Sequence, residues 1–172
     1  MFSPQADKGT SWAEVSLKPG NYVAVDLSPS GATPPLTTFT ISKSSSPASL
    51  PKPAASLNSI EFAFRGAGTL HDGELVRFGN RGFLVHMMFG ARGASKAKAE
   101  QIAALLKAGK DGKAEKLADA SYGFFSILTH NQAEQQIVRL RPGYWVIACF
   151  MDTQDGREHT QLGMERVIHI VK

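Results

Sequence analysis

The chain has 172 residues, which is long enough for one domain with a substantial core and short for two full domains. An apolar fraction of 42% and a charged fraction of 20% are typical of a folded globular protein, which excludes a disordered chain. The formal net charge of +4 favours acidic partners at long range but does not indicate nucleic acid binding. No segment has the length of a transmembrane helix, and residues 1–12 lack the apolar centre of a signal peptide.

The N-terminal part is predicted to contain a β-hairpin. Alternating apolar side chains precede and follow the Pro19-Gly20 pair, which predicts two strands within residues 12–27 joined by a turn. Ser, Pro and Ala dominate residues 42–56, a composition typical of an extended linker. We therefore expect an N-terminal tail over residues 1–44, a linker over 45–56 and a folded domain over 57–172.

The strand pattern continues through the rest of the chain with one interruption. From Ser95 the apolar residues follow a helical period, with Ser95 as N-cap and Gly109 as the end, and a shorter helix is predicted over residues 113–120. The sequence therefore predicts an all-β domain with a short helical insertion at about residues 95–120. The predicted strands lie at residues 37–42, 59–66, 73–80, 82–90, 122–129, 135–150 and 165–172.

An internal similarity connects the two ends of the chain. Residues 15–27 align with residues 138–150 at an offset of 123 positions, and each segment is followed by a further strand. We interpret residues 13–42 as the tail of a degenerate first copy of the domain, in which Asp26 stands where the second copy has Cys149. Alternatively, residues 13–42 add strands to the single domain, or exchange between protomers in a homodimer, because an isolated hairpin is marginally stable.

Four side chains near the strand ends form a set of soft and borderline metal ligands. Cys149, the only cysteine, ends a strand on the same face as two large apolar side chains. Nine residues separate it from His159, and four separate His159 from Met164. A second histidine, His86, follows Asn80 after five intervening residues. Two imidazoles, a thiolate and a weak axial thioether are the donors of a trigonal copper site.

The stretch "PGYWVIACF", the later "HTQLGMERVIHIV" and the upstream "NRGFLVH" together resemble the cupredoxin family, the plastocyanin-like blue copper proteins. The resemblance covers residues 57–172. The shortened first copy also resembles the end of such a domain, which implies a tandem arrangement. It implies a Greek-key β-sandwich that binds one type 1 copper ion. The copper ligands would be His86, Cys149, His159 and Met164.

The resemblance also carries expectations about function. It implies an electron carrier that is not an enzyme, a redox partner protein, and a place in the periplasm or outside the cell. The larger copper enzymes of the same superfamily use His-x-His pairs, which are absent here. One ring edge of His159 is expected to face solvent and to serve as the route for the electron.

Two other functions remain open at this point. A metal-free interaction or assembly domain would keep Cys149 as a buried apolar residue and would use the basic helical insertion to bind a partner. A copper carrier would use the same four ligands without fast electron exchange. A zinc site is disfavoured because Met is a poor zinc ligand and structural zinc sites favour four Cys or His ligands.

Overall fold

The computed structural model describes residues 13–26 and 33–172, which form two compact units. The smaller unit spans Ser16–Pro51, and the larger unit joins Lys52–Lys172 to a segment that ends at Val15. The elements of the described residues are β1 (Ala13–Val15), β2 (Gly20–Val25), β3 (Leu36–Ile41), β4 (Ala55–Ile60), β5 (Ala63–Gly66), β6 (Thr69–His71), β7 (Leu75–Asn80), β8 (His86–Gly93), α1 (Lys96–Lys107), α2 (Asp111–Glu115), β9 (Ala118–Leu128), β10 (Ala133–Ile137), β11 (Gly143–Ala148), a 3-10 turn (His159–Leu162) and β12 (Glu165–Val171).

The larger unit contains two five-stranded sheets. The strand order is β1-β10-β7-β4-β5 in the first sheet and β6-β12-β11-β8-β9 in the second. Pairing is antiparallel except between β4 and β7 and between β6 and β12. From β5 to β8 the chain changes sheet at every connection, and it changes again between β9 and β10 and between β10 and β11, which is the Greek-key connectivity of a β-sandwich. The predicted all-β Greek-key sandwich is therefore confirmed.

The core lies between the two sheets and receives alternate side chains from each strand. The rings of Phe78 on β7 and Phe124 on β9 meet across the sandwich with their centroids 5.5 Å apart. On β11, Trp145 and Ile147 point into this core, and Cys149 belongs to the same buried cluster. The sequence predicts that Cys149 shares one face of its strand with two large apolar side chains. These are Trp145 and Ile147, because alternate residues of a strand lie on the same face.

The opposite face of β11 is covered by the helical insertion. Ser95 caps α1, since its side chain accepts a hydrogen bond of 3.2 Å from the backbone N–H of Lys98. Ala99, Ile102 and Leu106 are buried against Val146 and Ala148 of β11. The predicted first helix is therefore confirmed, together with its cap and its inward face.

The predicted second helix over residues 113–120 is wrong in its bounds. Residues Asp111–Glu115 form α2, and the chain enters β9 at Ala118. Ala118 pairs with Gly93 at the end of β8. Backbone pairing with β8 takes these residues out of the helix, an effect of tertiary contacts that overrides a weak local helical preference.

The predicted hairpin across Pro19-Gly20 is also wrong. β1 pairs with β10 of the first sheet, whereas β2 pairs antiparallel with β3. The strands on either side of the Pro-Gly pair therefore have different partners, because β10 offers an open edge to which β1 can bond. The predicted linker is two residues too long, since β4 begins at Ala55, where it starts its parallel pairing with β7.

The smaller unit is a two-stranded sheet with a largely exposed surface. Tyr22 of β2 stacks on Phe39 of β3 with ring centroids 5.6 Å apart. Val23, Val25 and Leu36 keep 46% to 63% of their area exposed. Two strands alone bury little apolar surface, so this unit contributes little stability of its own.

The strands match the internal repeat found in the sequence. At an offset of 123 positions, β2 and β11 begin at corresponding glycines, Gly20 and Gly143, and each pairs antiparallel with the strand that follows it. In the pairing of β1 with β10, Ala13 lies opposite Gln136, its own counterpart at the same offset. These correspondences support the interpretation of a degenerate first copy, which stays a prediction.

Candidate metal centre

Three of the four predicted ligands come together at one end of the larger unit. The Nδ1 atoms of His86 and His159 lie 3.2 Å apart. The Sγ atom of Cys149 is 3.4 Å from the Nδ1 atom of His159 and 3.8 Å from that of His86. All three side chains are buried, and among the described residues they form the one group of three or more His, Cys, Asp or Glu side chains with the spacing of a metal site.

The triangle formed by these three atoms has the dimensions of a coordination sphere. A point equidistant from the three atoms lies about 2 Å from each, given the three distances between them, which is close to the metal–nitrogen distance of roughly 2.0–2.1 Å in protein sites. When both neutral imidazoles carry their proton on Nε2, the two facing Nδ1 lone pairs can bind a cation placed between them. The donor set of two imidazoles and a thiolate is the one that copper takes in trigonal sites.

The ends of strands and a closed loop place these donors. His86 is the first residue of β8, and Cys149 directly follows β11. The loop from Cys149 to Met164 is closed at its base by a hydrogen bond of 3.2 Å from the Cys149 N–H to the Met164 carbonyl. Within it, the His159 N–H donates to the Met151 carbonyl at 2.8 Å. The neighbouring strands β8 and β11 of the second sheet therefore fix His86 and Cys149, and backbone hydrogen bonds fix His159.

Burial keeps both histidines neutral, as metal binding requires. His86 is 0% exposed and His159 is 1% exposed. Desolvation, followed by the nearby His159, lowers the pKa of His86 to about 4. Desolvation also lowers the pKa of His159, against the opposing effect of Asp152 and Glu61. A neutral imidazole keeps a free lone pair, so neither ring needs to lose a proton before it binds a cation near neutral pH.

The thiol of Cys149 lies in an apolar environment in which the backbone N–H groups of Met87 and Met151 are directed at the sulfur. Burial raises the pKa of Cys149, and this exceeds the lowering effect of the backbone N–H of Met87. That N–H lies 3.4 Å from Sγ. Without a cation the thiolate is therefore disfavoured. A bound metal ion would deprotonate the thiol, and the Met87 N–H would then stabilise the resulting sulfur charge.

The fourth predicted ligand, Met164, is 0% exposed and packs in the core cluster that contains Cys149. It directly follows the 3-10 turn that starts at His159, and its N–H donates to the His159 carbonyl at 2.9 Å. Met164 is therefore close to His159 in the sequence and bonded to its backbone. Its role as an axial ligand stays a prediction.

The expected solvent-facing edge of His159 is wrong. The ring is 1% exposed, and the ring of Phe62 packs against it edge-on with centroids 5.2 Å apart. Phe62 lies in the turn between β4 and β5, with a positive φ of 55°. Sequence reasoning missed this residue because neither Glu61 nor Phe62 is a typical turn residue that would mark the position.

Glu61, the neighbour of Phe62, holds the loop in front of His86. Its carboxylate accepts the backbone N–H of Phe83 and, at 3.2 Å, that of Leu84. Partial desolvation raises the pKa of Glu61, but these two donors outweigh it and leave the pKa below its ordinary value. The group therefore stays charged at neutral pH and accepts both bonds. The sequence contains no spacing signal for this contact, which joins residues more than twenty positions apart.

Comparisons with known proteins give similar structures only. No protein family model matches the chain, and no curated protein matches it. Dithionite-reduced auracyanin from Roseiflexus castenholzii is 15% identical, with a TM-score of 0.41, over 68% of this chain and 95% of that one. Auracyanin A from Chloroflexus aurantiacus, described as a blue copper protein, is 16% identical, with a TM-score of 0.37, over 67% and 96%. An amicyanin mutant is 12% identical, with a TM-score of 0.36, over 69% and 82%.

The multicopper oxidase from Pseudomonas thermotolerans is also similar in structure, at 14% identity and a TM-score of 0.34, but the match covers only 29% of that chain. At such identities the similarity does not extend to function. The case for a metal therefore depends on the donors of this chain.

Proposed function

We propose that this protein binds one copper ion in a type 1 site and transfers electrons. The observation that carries the proposal is the convergence of Cys149 Sγ with the Nδ1 atoms of His86 and His159 within 4.8 Å in a buried position. Met164 would complete the set as a weak thioether ligand. Bound copper would supply one-electron chemistry, by alternating between Cu(II) and Cu(I).

The protein's own contribution is a rigid set of ligands. His86 and Cys149 lie at the ends of the paired strands β8 and β11, and the loop that carries His159 is closed by backbone hydrogen bonds. A site that moves little between two oxidation states loses little energy to reorganisation. The apolar residues around Cys149, chiefly Trp145 and Ile147, exclude water from the sulfur.

We propose that the protein is an electron carrier without catalytic activity of its own. The described residues contain one His/Cys cluster and no second one in which a substrate could meet another metal ion. The buried position of the donors also leaves no open ligand position facing solvent. Both features favour exchange of electrons over binding of a substrate.

The partner we propose is a redox protein with an acidic surface. The helical insertion and the segment after it carry several lysines that are exposed to solvent. Their charge contributes to the net charge of +4, which attracts an acidic surface at long range. The exposed lysines are Lys96, Lys98, Lys107, Lys110, Lys113 and Lys116. The expected measurement is an electron-transfer rate that falls as ionic strength rises.

Two further parts of the proposal concern location and assembly. None of the helices in the described ranges is long and apolar enough to cross a membrane. We place the protein in the periplasm or outside the cell, by its resemblance to cupredoxins, which fractionation of the producing cells would test.

The exposed apolar residues Val23 and Val25 of β2 support a homodimer through the smaller unit, and a single monomeric species in sedimentation would contradict it.

The experiment that tests the function is a titration of the metal-free protein with Cu(II), followed by visible absorption. We expect an intense thiolate-to-copper band that saturates at one copper per chain and is absent in Cys149→Ser. A flat spectrum with Cys149 reduced would contradict the proposal and leave a metal-free interaction domain. A band that cycles only slowly between oxidation states would instead indicate a copper carrier.

A further inference from the structure

Two consecutive residues in one turn reach both histidines of the metal centre. The turn joins β4 to β5 and consists of Glu61 and Phe62. The ring of Phe62 packs on His159 with centroids 5.2 Å apart. The carboxylate of Glu61 binds the backbone of the loop that lies against His86. One short turn therefore contacts one histidine directly and the other through a loop.

The loop held by Glu61 packs tightly against the ring of His86. A Cβ atom added to Gly82 would lie 2.5 Å from Glu61 Oε1 and 3.0 Å from His86 Nε2. A side chain at position 82 would have to displace the Glu61 carboxylate, so glycine lets the backbone pass between the carboxylate and the ring without moving either. The loop is fixed from the other side as well, since the Asn80 side chain donates to the Leu84 carbonyl at 2.7 Å. His86 Nε2 is thereby buried without a hydrogen-bond partner.

The backbone at Phe62 accepts an unfavourable conformation to make this contact. A φ of 55° lies in the left-handed region, which is uncommon and strained for a bulky side chain. A glycine or asparagine would meet the backbone requirement at lower cost. Phe62 places an aromatic ring over His159 instead. A strained residue beside a cluster of donors is typical of a functional constraint.

We propose that the Glu61–Phe62 turn is a cap that closes the metal centre to water and to small ligands, so that the centre exchanges electrons with a partner protein and binds no exogenous molecule. This inference rests on the proposed function for the role of the closed site. The cap itself is a property of the metal-free chain. Phe62 is its covering residue, and Glu61 is a positioning residue that acts through the loop in front of His86.

The cap is tested first without metal, by the access of iodoacetamide to Cys149 in the apo-protein, followed by intact mass. In Phe62→Gly, which relieves the positive φ and removes the ring, we expect alkylation to be roughly tenfold faster or more, as for a local opening. Phe62→Tyr keeps the ring and should react at the wild-type rate. Ile137→Ala shortens an apolar side chain on β10 that is 48% exposed and belongs neither to the turn nor to the loop, so it should also leave the rate unchanged.

The same assay in low concentrations of urea separates loss of the cap from loss of stability. Alkylation through local exposure is nearly independent of urea, whereas alkylation through global unfolding rises steeply with it. A fast, urea-independent reaction in Phe62→Gly supports the cap. Two results would overturn it. One is an equal alkylation rate in Phe62→Gly and wild type, and the other is a faster alkylation of the variant whose rate rises with urea as it does in wild type.

The copper-loaded protein provides the second measurement, with imidazole as the probe. We expect imidazole to change the thiolate-to-copper band of Phe62→Gly and to leave the wild-type band unchanged. A wild-type band that responds as strongly as that of the variant would count against the cap. A copper band that never forms, combined with alkylation that depends on Phe62, would defeat the proposed function and leave the cap standing.

Discussion

The ring nitrogens of His86 and His159 meet at 3.2 Å although 73 positions separate the two residues in the chain. The first begins a strand of the second sheet, and the second lies in the loop that leads to the last strand. With Cys149 Sγ as third member, they form a buried set of three donors that lie close enough together to bind one cation.

Copper should stabilise the protein through His86, and His71 provides a matched control. A ligand that binds only the folded state stabilises it by about 2.7 kcal/mol at a free concentration of 100 times the dissociation constant. We expect the thermal midpoint to rise with added Cu(II) in wild type and in His71→Gln, whose histidine is exposed. In His86→Gln the rise should be lost. An unchanged copper response in His86→Gln would remove this residue from the ligand set.

Glu134 on β10 should make the protein less stable as pH rises towards neutrality. Its side chain is 0% exposed, and both carboxylate oxygens lack a hydrogen-bond partner. Desolvation raises the pKa of Glu134 to about 7. Between the unfolded value near 4.5 and this folded value, the native state holds the proton that the unfolded state has lost. Stability should therefore fall as pH rises through this window and level off above it.

The variant Glu134→Gln should remove that pH dependence. We expect it to be more stable than wild type above pH 7, by on the order of 1–3 kcal/mol, and similar to wild type near pH 4. Urea unfolding at several pH values measures the difference. Glu14→Gln, which changes an exposed carboxylate on neighbouring β1, is the control and should keep the wild-type slope. Parallel pH profiles for wild type and Glu134→Gln would contradict the assignment.

A methyl group at Gly93 should destabilise the contact between β8 and α1. A Cβ there would collide with the Ala99 backbone nitrogen and lie 2.9 Å from the Ala99 Cα. Backbone cannot move aside as a flexible side chain can, so we expect Gly93→Ala to cost about 1–3 kcal/mol of unfolding free energy. Gly112→Ala meets no atom within 4 Å and lies in α2. It should be neutral or stabilising by about 0.5–1 kcal/mol.

The cap of α1 should be measurable by itself. Ser95→Ala removes the side-chain acceptor for the Lys98 N–H and should lower stability by about 1 kcal/mol. Ser95→Asp restores an acceptor and adds a favourable charge at the helix N-terminus, so it should recover most of the loss. Chemical denaturation of the three proteins gives the comparison. No difference between Ser95→Ala and wild type would show that the cap is energetically silent.

Local features of the chain were predictable from the sequence alone. The period of the apolar residues indicates the strands and the inward face of α1, because burial on one side imposes the same spacing wherever the element packs. The capping by Ser95 depends on groups within four residues of each other. The types and spacing of Cys149, His159 and Met164 point to a soft metal ion, since donor chemistry is a property of the side chains themselves.

Only the tertiary structure decided which distant segments meet. β1 pairs with the edge of β10 and does not form the predicted hairpin. The chain becomes a strand at Ala118, where a helix was predicted, because it pairs there with β8. In both cases backbone pairing with a distant partner outweighs a local preference. The convergence of His86 with His159, and the placement of Phe62 over His159 at a positive φ, depend on how the two sheets pack and where their loops end. Sequence spacing carries information over a few residues, whereas burial and access to solvent are properties of the assembled sandwich.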